Sequence, residues 1–242
     1  MKIKQRTALV TGANRGIGKA LIESLLREGV EKVYAGSRQL GRLPDFRDAR
    51  VVPIRLDVTD PKQVQEAAAT ASDVDLLINN AGVAAFTSLL DGPMDLLERD
   101  MGTNYYGTLS MIRAFLPVLE ANADSAIVNV VTIGAFTNFP MLGGYCASKA
   151  AVFSMSQGIR TELASKNIAV HTVNPGPIDT DMAKDFPSDK TSPEQTADNV
   201  VDGLKADEAD IFPDPGSQSM IEVWKTNYRD LEKMVFEMHT AA

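Results

Sequence analysis

Thr7-Ala8-Leu9-Val10-Thr11-Gly12-Ala13-Asn14-Arg15-Gly16-Ile17-Gly18 sets a short apolar run directly against three glycines, and an amphipathic run from Lys19 to Glu28 follows, ending at Gly29. The first run has the length of a buried strand and the second the period of a helix. Strand, glycine turn and helix make a phosphate-binding arrangement. Glycine accepts positive φ and lets the backbone come close to a ligand, while free N–H groups at the helix start attract a pyrophosphate. The spacing is Gly-x-x-x-Gly-x-Gly rather than Gly-x-Gly-x-x-Gly. Two glycines would suit an ordinary loop; three between strand and helix favour a nucleotide.

Outward from that turn the alternation continues. Lys32-Val33-Tyr34-Ala35-Gly36 reads as a second strand, whose end would contact an adenosine ribose. An Asp or Glu there selects NAD; this chain has Ser37-Arg38, with Arg15 as a second cation. Two guanidiniums around a 2′-phosphate favour NADP(H), the alternative being two solvated surface residues. Arg50 to Leu56 gives a third strand. Asp57 after it suits an adenine contact and a plain turn about equally, and Asp60-Pro61 reads as a helix cap followed by the first helical position.

Val74 to Ile78 is a fourth, strongly apolar strand of the parallel-sheet kind, closed by Asn79-Asn80-Ala81-Gly82, whose amides can tie the turn together. Between Gly92 and Glu120 the positions Met94, Leu97, Met101, Met111, Phe115 and Leu119 recur at helical spacing, predicting two successive helices with Asn104 inside them. Ser125 to Val131 is a fifth strand with Thr132 at its carboxyl end, where ligands sit in open parallel sheets. Ile168 to Val173 is a sixth, and Asn174-Pro175-Gly176-Pro177-Ile178-Asp179-Thr180 turns sharply after it. Asp210-Ile211-Phe212 suits a short last strand.

Tyr145-Cys146-Ala147-Ser148-Lys149 sets a phenol and an ammonium four residues apart. On a helix they share a face, about 5–6 Å apart at Cβ. An ammonium so close is expected to lower the Tyr pKa and make the phenol a usable acid or base near neutrality. The bland alternative is a helix start with a lysine on its wet side. The loop before it carries Phe136, Met141 and Leu142, which could line a pocket or cover the core.

The bulk numbers set the frame. A chain of 242 residues with 44% hydrophobic and 23% charged residues suits one α/β domain over residues 1–242. A net charge of -8 and a pI near 4.9 argue against nucleic-acid or membrane partners, which call for clustered Lys and Arg. The single cysteine, Cys146, excludes an intrachain disulfide framework and multi-cysteine metal sites, so no metal is expected and a reducing compartment is. The opening Met1-Lys2-Ile3-Lys4 leads into too short an apolar run for a secretion signal, and a cytoplasmic location is expected. His171, in a strand, reads as a packed residue and not a catalyst. Residues 180–193 are polar and proline-broken, which suits a substrate lid; residues 217–238 read as one or two helices, an unusual C-terminal tail bearing Trp224, Leu231, Val235 and Phe236.

Taken in order, Thr11-Gly12-x-x-x-Gly16-Ile17-Gly18, Asn79-Asn80-Ala81-Gly82, Asn104, Tyr145-x-x-x-Lys149 and Asn174-Pro175-Gly176 resemble the short-chain dehydrogenase/reductase family in its compact branch, over roughly residues 5 to 205. The resemblance implies an α/β fold, a Rossmann-like doubly wound parallel sheet of about seven strands with helices on both faces. It implies that Tyr145 gives a proton to a carbonyl oxygen, that Lys149 holds the nicotinamide ribose and depresses the Tyr145 pKa, and that Asn104 positions a water beside Lys149. Thr180 would bond the carboxamide. Gly12, Asn14, Gly16, Ile17, Gly18, Asp57, Val58 and Asn80 would contact cofactor, with Ala81, Gly82, Pro175, Gly176 and Ile178 in the same turns. Ala84, Phe86, Ile133, Phe136, Met141 and Leu142 are the candidate substrate pocket, and their apolar character suggests an apolar ligand.

Two departures from the family pattern stand out. Thirteen positions before the Tyr, where the family has Ser, this chain has Thr132, which keeps the hydroxyl and adds a methyl that stiffens χ1. The family's glycine-pair ending is replaced by Asp210-Ile211-Phe212-Pro213-Asp214-Pro215-Gly216 and the tail; that region helps form the tetramer in relatives, so the departure bears on quaternary structure, and the homo-oligomer that the resemblance implies is left as a dimer or a tetramer. The function implied is NADPH-dependent reduction of a ketone or aldehyde carbonyl to an alcohol. The alternative is an NADP(H)-binding sensor or scaffold without chemistry.

Overall fold

In the computed structural model, which describes residues 1–122, 124–184 and 189–240, strands and helices alternate as the hydrophobic pattern requires. β1 (Thr7–Thr11) leads through the glycine turn into α1 (Gly16–Arg27); β2 (Lys32–Ser37), β3 (Val51–Arg55), α2 (Pro61–Thr70) and β4 (Leu76–Asn79) follow. Then come α3 (Met94–Met101), α4 (Thr108–Ala121), β5 (Ala126–Val130), α5 (Gly143–Leu163), β6 (Ala169–Val173), α6 (Pro193–Lys205) and β7 (Asp210–Ile211). α7 (Pro215–Thr226) and α8 (Tyr228–Thr240) form the tail.

The seven strands make one parallel sheet in the order β3-β2-β1-β4-β5-β6-β7. Side chains alternate between its two faces. Ala8, Val10, Leu76, Ile78, Ala126 and Val128 pack under α1 and α6 with Leu21, Leu25, Val200 and Leu204. Leu9, Leu77 and Ile127 pack on the other face with Phe115 and Leu119 of α4 and Val64 of α2. Both faces are covered, which is why these strands read as continuous apolar runs. The chain leaves β1 toward β3 on one side and returns to β4 on the other, so a crevice opens at the carboxyl ends of β1 and β4.

Local chemistry explains the boundaries. Asp60 caps α2 by accepting the N–H groups of Lys62 at 2.9 Å and Gln63 at 3.3 Å, and Ser192 caps α6 by accepting that of Gln195 at 3.1 Å, each followed by proline at the first helical position. The Gly92–Glu120 region holds the two successive helices expected of it. α3 and α4 are joined without a break by a π-type turn, Gly102–Gly107, which carries Asn104. A wide turn of this kind takes up an extra residue without ending the helix. Gly107 belongs to it for packing: a Cβ there would lie 2.7 Å from the Val58 Cγ2.

Candidate active site

The glycine turn is built by close approach. Gly12 and Gly16 have φ of +66° and +52°, which side-chain-bearing residues adopt with strain. At Gly18 a Cβ would stand 2.4 Å from the Gly12 carbonyl oxygen and 2.5 Å from Asn80 Nδ2. Asn80 Nδ2 donates to the carbonyls of Thr11 at 2.9 Å and Gly12 at 3.2 Å, while Thr11 Oγ1 accepts the N–H groups of Asn80 and Ala81, both at 2.9 Å. The turns after β1 and β4 are thereby one unit. Asn79, expected to tie the same turn, instead reaches sideways to Asn129 Oδ1 on β5 at 2.9 Å, because alternation turns it to the opposite face. Arg15 precedes α1 without capping it, and the first helical turn carries no acid, so its N–H groups keep their attraction for an anion.

At the end of β2, Ser37 is buried and its hydroxyl bonds to the Gln39 carbonyl at 3.1 Å. Arg38 is exposed and makes no hydrogen bond or ion pair with a described residue. Arg15 is exposed too, but meets Asp181 at 2.8 Å. Asp57 is occupied locally: its Oδ1 accepts the Thr59 N–H at 3.0 Å and hydroxyl at 2.7 Å, the geometry of a turn residue.

Thr132, Tyr145, Lys149 and Asn104 converge at the carboxyl ends of β4 and β5. The Thr132 hydroxyl donates to the Pro175 carbonyl at 3.0 Å, accepts the Gly134 N–H at 3.2 Å and lies beside the Tyr145 hydroxyl. Lys149 is buried, and its Nζ donates to the Val130 carbonyl at 2.7 Å and lies 5.8 Å from the Tyr145 ring centroid. Asn104 is fully buried and completely engaged. Its Oδ1 accepts the Val83 N–H at 2.9 Å, and its Nδ2 donates to the Val83 carbonyl at 2.9 Å and to Ser148 Oγ at 2.8 Å. Ser148 in turn donates to the Tyr145 carbonyl at 2.7 Å, so the π turn is fastened to the start of α5. Gly82 makes room between them, for a Cβ there would meet Asn104 Oδ1 at 3.2 Å and Lys149 Nζ at 3.5 Å.

The electrostatics depart from the expected lowering of the Tyr145 pKa. Tyr145 is half-buried, and burial pushes its phenol well above the ordinary value. Cys146 and Asp100 push the same way, and the neighbouring Thr132 hydroxyl pulls back. Burial also brings the Lys149 ammonium down to about 8. Desolvation governs both groups, since each must give up water in its charged form.

The loop after β6 closes the arrangement. Thr180 packs on the turn, where a Cβ at Gly16 would lie 3.1 Å from its Cγ2, and Ile178 is buried and bridged to Thr191. Residues 185–188 of the expected lid lie outside the described residues. Of the expected pocket residues, Phe86 and Met141 are half exposed, at 51% and 52%, and Leu142 is buried with its backbone bridged to Thr87. A cavity of about 310 Å³ beside them is lined by Ser88, Leu89, Asn138, Phe139, Pro140, Met141 and Gly143. Ile133 goes elsewhere: it is buried among Met220, Ile221, Leu231 and Val235 of the tail. Phe136 stacks with Phe153, Phe212 and Trp224 at centroid distances of 4.6, 5.7 and 5.3 Å. A larger hollow of about 430 Å³ between α4 and α5 includes none of the four converging residues.

Three residues of this neighbourhood escape a reading of the sequence. Thr11 ties the two turns together although it reads only as a strand end. Asp100 is fully buried, accepts the Ala85 N–H at 2.8 Å and faces Arg99 at 3.3 Å; its signal is an acid on the apolar row of α3. Asp214 is buried and accepts the Gly176 N–H at 2.8 Å. Asp-Pro-x-Ser is a helix-cap pattern that could have flagged it.

The chain matches the family model described as short chain dehydrogenase over residues 6–191. A short chain dehydrogenase from Burkholderia cenocepacia, solved in complex with NADP, shares 38% identity and a TM-score of 0.93 over 97% of this chain and 99% of its own. A 1-deoxy-11-beta-hydroxypentalenate dehydrogenase from Streptomyces avermitilis is 31% identical over 93% of this chain and 92% of its own. An uncharacterized oxidoreductase from Staphylococcus saprophyticus is 31% identical over 76% of this chain and 83% of its own.

Proposed function

Because the chain belongs to the short-chain dehydrogenase/reductase family of oxidoreductases, we propose that it is an NADPH-dependent carbonyl reductase acting on a ketone or aldehyde of apolar character. The observation that carries this reading is the convergence of Thr132, Tyr145 and a buried Lys149 at the carboxyl ends of the strands beside the glycine turn.

The residues fit a phosphorylated dinucleotide. The turn at Gly12, Gly16 and Gly18 leaves no room for a Cβ on its inner side, and the N–H groups of α1 are uncapped by a side chain. Arg38, unpaired among the described residues, is the natural holder of a 2′-phosphate, with Arg15 as its partner. The cofactor when bound supplies the hydride.

The chain's own residues handle the proton and the orientation. The Tyr145 hydroxyl donates to the substrate's carbonyl oxygen, and Thr132 Oγ1 becomes a second donor when its single proton turns from the Pro175 carbonyl to the substrate, which fixes that oxygen and draws charge onto it. Tyr145 stays protonated throughout the neutral range, because burial opposes the phenolate. It therefore holds the proton that the forming alkoxide needs, and gives it from its hydroxyl. Lys149, anchored on the Val130 carbonyl, keeps a positive charge beneath the ring and steadies the phenolate left behind. Asn104 and Ser148 hold the start of α5 in register with the turn after β4.

Tyr145→Phe tests the reading. It removes the proton and leaves the ring, so NADPH affinity should stay within about twofold while turnover of an apolar ketone falls about 10²–10⁴-fold. Turnover unchanged in that variant would overturn the assignment.

A further inference from the structure

Two carboxylates among the described residues are buried, Asp100 and Asp214. Asp100 faces Arg99. Asp214 makes no ion pair with a described residue and is held only by dipolar donors: the Ser217 N–H at 2.8 Å on Oδ1, and the Ser217 hydroxyl at 2.9 Å and the Gly176 N–H at 2.8 Å on Oδ2. The bonds to Ser217 close the first turn of α7, a task a neutral serine or asparagine does as well. The bond to Gly176 has no such purpose. It reaches back to the turn after β6, where a Cβ at Gly176 would lie 2.8 Å from Asp214 Oδ1.

That turn is gripped from the opposite side by the reacting residues. The Pro175 carbonyl accepts the Thr132 hydroxyl at 3.0 Å and the Ile133 N–H at 2.9 Å. The Pro175–Gly176 peptide thus lies between the hydroxyl proposed to orient the substrate and a carboxylate of the tail. A second link runs alongside, because the Ile133 side chain is buried against α7 and α8.

We propose that Asp214 is a positioning residue of the active site, which by holding Gly176 N–H fixes the turn on the nicotinamide side and, through the Pro175 carbonyl, the orientation of the Thr132 hydroxyl. This rests on the NADPH reading above. The C-terminal helices are then a wall of the site, and the Asp214 charge holds two backbone segments in one register: the start of α7 and the turn after β6.

The experiment compares two ligands on the full chain, NADPH and adenosine 2′,5′-bisphosphate, which occupies the phosphate end alone. Asp214→Asn keeps one side-chain oxygen for the Ser217 N–H and turns an amide donor toward Gly176. Its NADPH Kd is expected to rise about tenfold, about 1.4 kcal/mol, while the bisphosphate Kd stays within about twofold. Ser217→Ala removes only the hydroxyl and should leave both affinities in place. Should Asp214→Asn not fold, Gly176→Ala presses the same contact from the other side with the cap intact, and the same selective loss is expected. Unchanged NADPH affinity in a folded Asp214→Asn protein, or equal weakening of both ligands, overturns the proposal. Failure of the unmodified protein to bind NADPH would overturn the cofactor reading and this proposal with it.

Discussion

At the β2 end of the crevice Arg38 is exposed without a partner among the described residues and Arg15 meets Asp181 across solvent, whereas at the β5–β6 end Lys149 is 4% exposed and fastened to a carbonyl. The first region keeps its cations hydrated, with Arg38 unpaired among the described residues and Arg15 shared with Asp181. The second has stripped water from its ionisable groups, so that their protonation is set by burial more than by each other. One end is suited to recognise a permanent charge and the other to govern a proton, and the dielectric surroundings separate the two tasks.

Lys149→Met strikes that contrast hardest. Removing the ammonium leaves the phenolate unsupported, and turnover is expected to fall about 10²-fold or more. Its effect on stability has a definite sign. The Lys149 pKa is lowered from 10.5 to about 8, so between those values the unfolded chain binds more protons at this position and stability rises with pH. Below about 8 the cost of burying the ammonium is fully present. The stability of the unmodified protein relative to Lys149→Met should therefore grow from about pH 7 to about pH 10 in urea unfolding. A difference flat across that range would mean that Lys149 is not desolvated, and the two ends of the crevice would no longer differ in kind.

A smaller effect is expected at the hydrated end. Arg38→Asp replaces an unpaired cation by an anion, and the preference for NADPH over NADH should fall about 10–100-fold in competitive binding. Arg15→Ala should cost less, about two- to threefold, because Asp181 already shares that guanidinium and exposed pairs are weak. If Arg15→Ala proves the more damaging, the 2′-phosphate is read from the glycine turn and not from the end of β2.

The contrast also marks what the sequence discloses. The phosphate end is local: Gly12 to Gly18, the missing acid after β2 and the cap Asp60-Pro61 all act on neighbours a few residues away, so spacing alone carries them. At the reacting end Tyr145 and Lys149 are legible for the same reason, lying on successive turns of α5. Their surroundings come from far off. Ile133 appears to the eye as a pocket residue because it follows Thr132, but α7 and α8 supply a buried face for it that only the tertiary fold provides. The direction of the Tyr145 shift is hidden from spacing for a like reason: a pair of residues announces the ammonium, and nothing local announces the burial. The π turn at Gly102–Gly107 is equally hidden, since an extra residue in a helix barely disturbs its apolar period.

The smallest expected effect concerns the one position where this chain departs from the family's usual serine. The Thr132 hydroxyl is already fixed by donation to the Pro175 carbonyl and acceptance from Gly134 N–H. Its Cγ2 methyl packs on Gly134, where a Cβ would lie 3.3 Å away. Thr132→Ser takes away that methyl and the χ1 restriction that goes with it, but neither of the two hydrogen bonds. Turnover should change less than about threefold and stability by about 0.5–1 kcal/mol. Thr132→Val keeps the shape and removes the hydroxyl, and turnover should fall about 10²-fold. A serine variant as impaired as the valine one would show that the methyl, and not the hydrogen-bonded hydroxyl, sets the substrate's orientation, and the dry end would then select by shape as well as by proton.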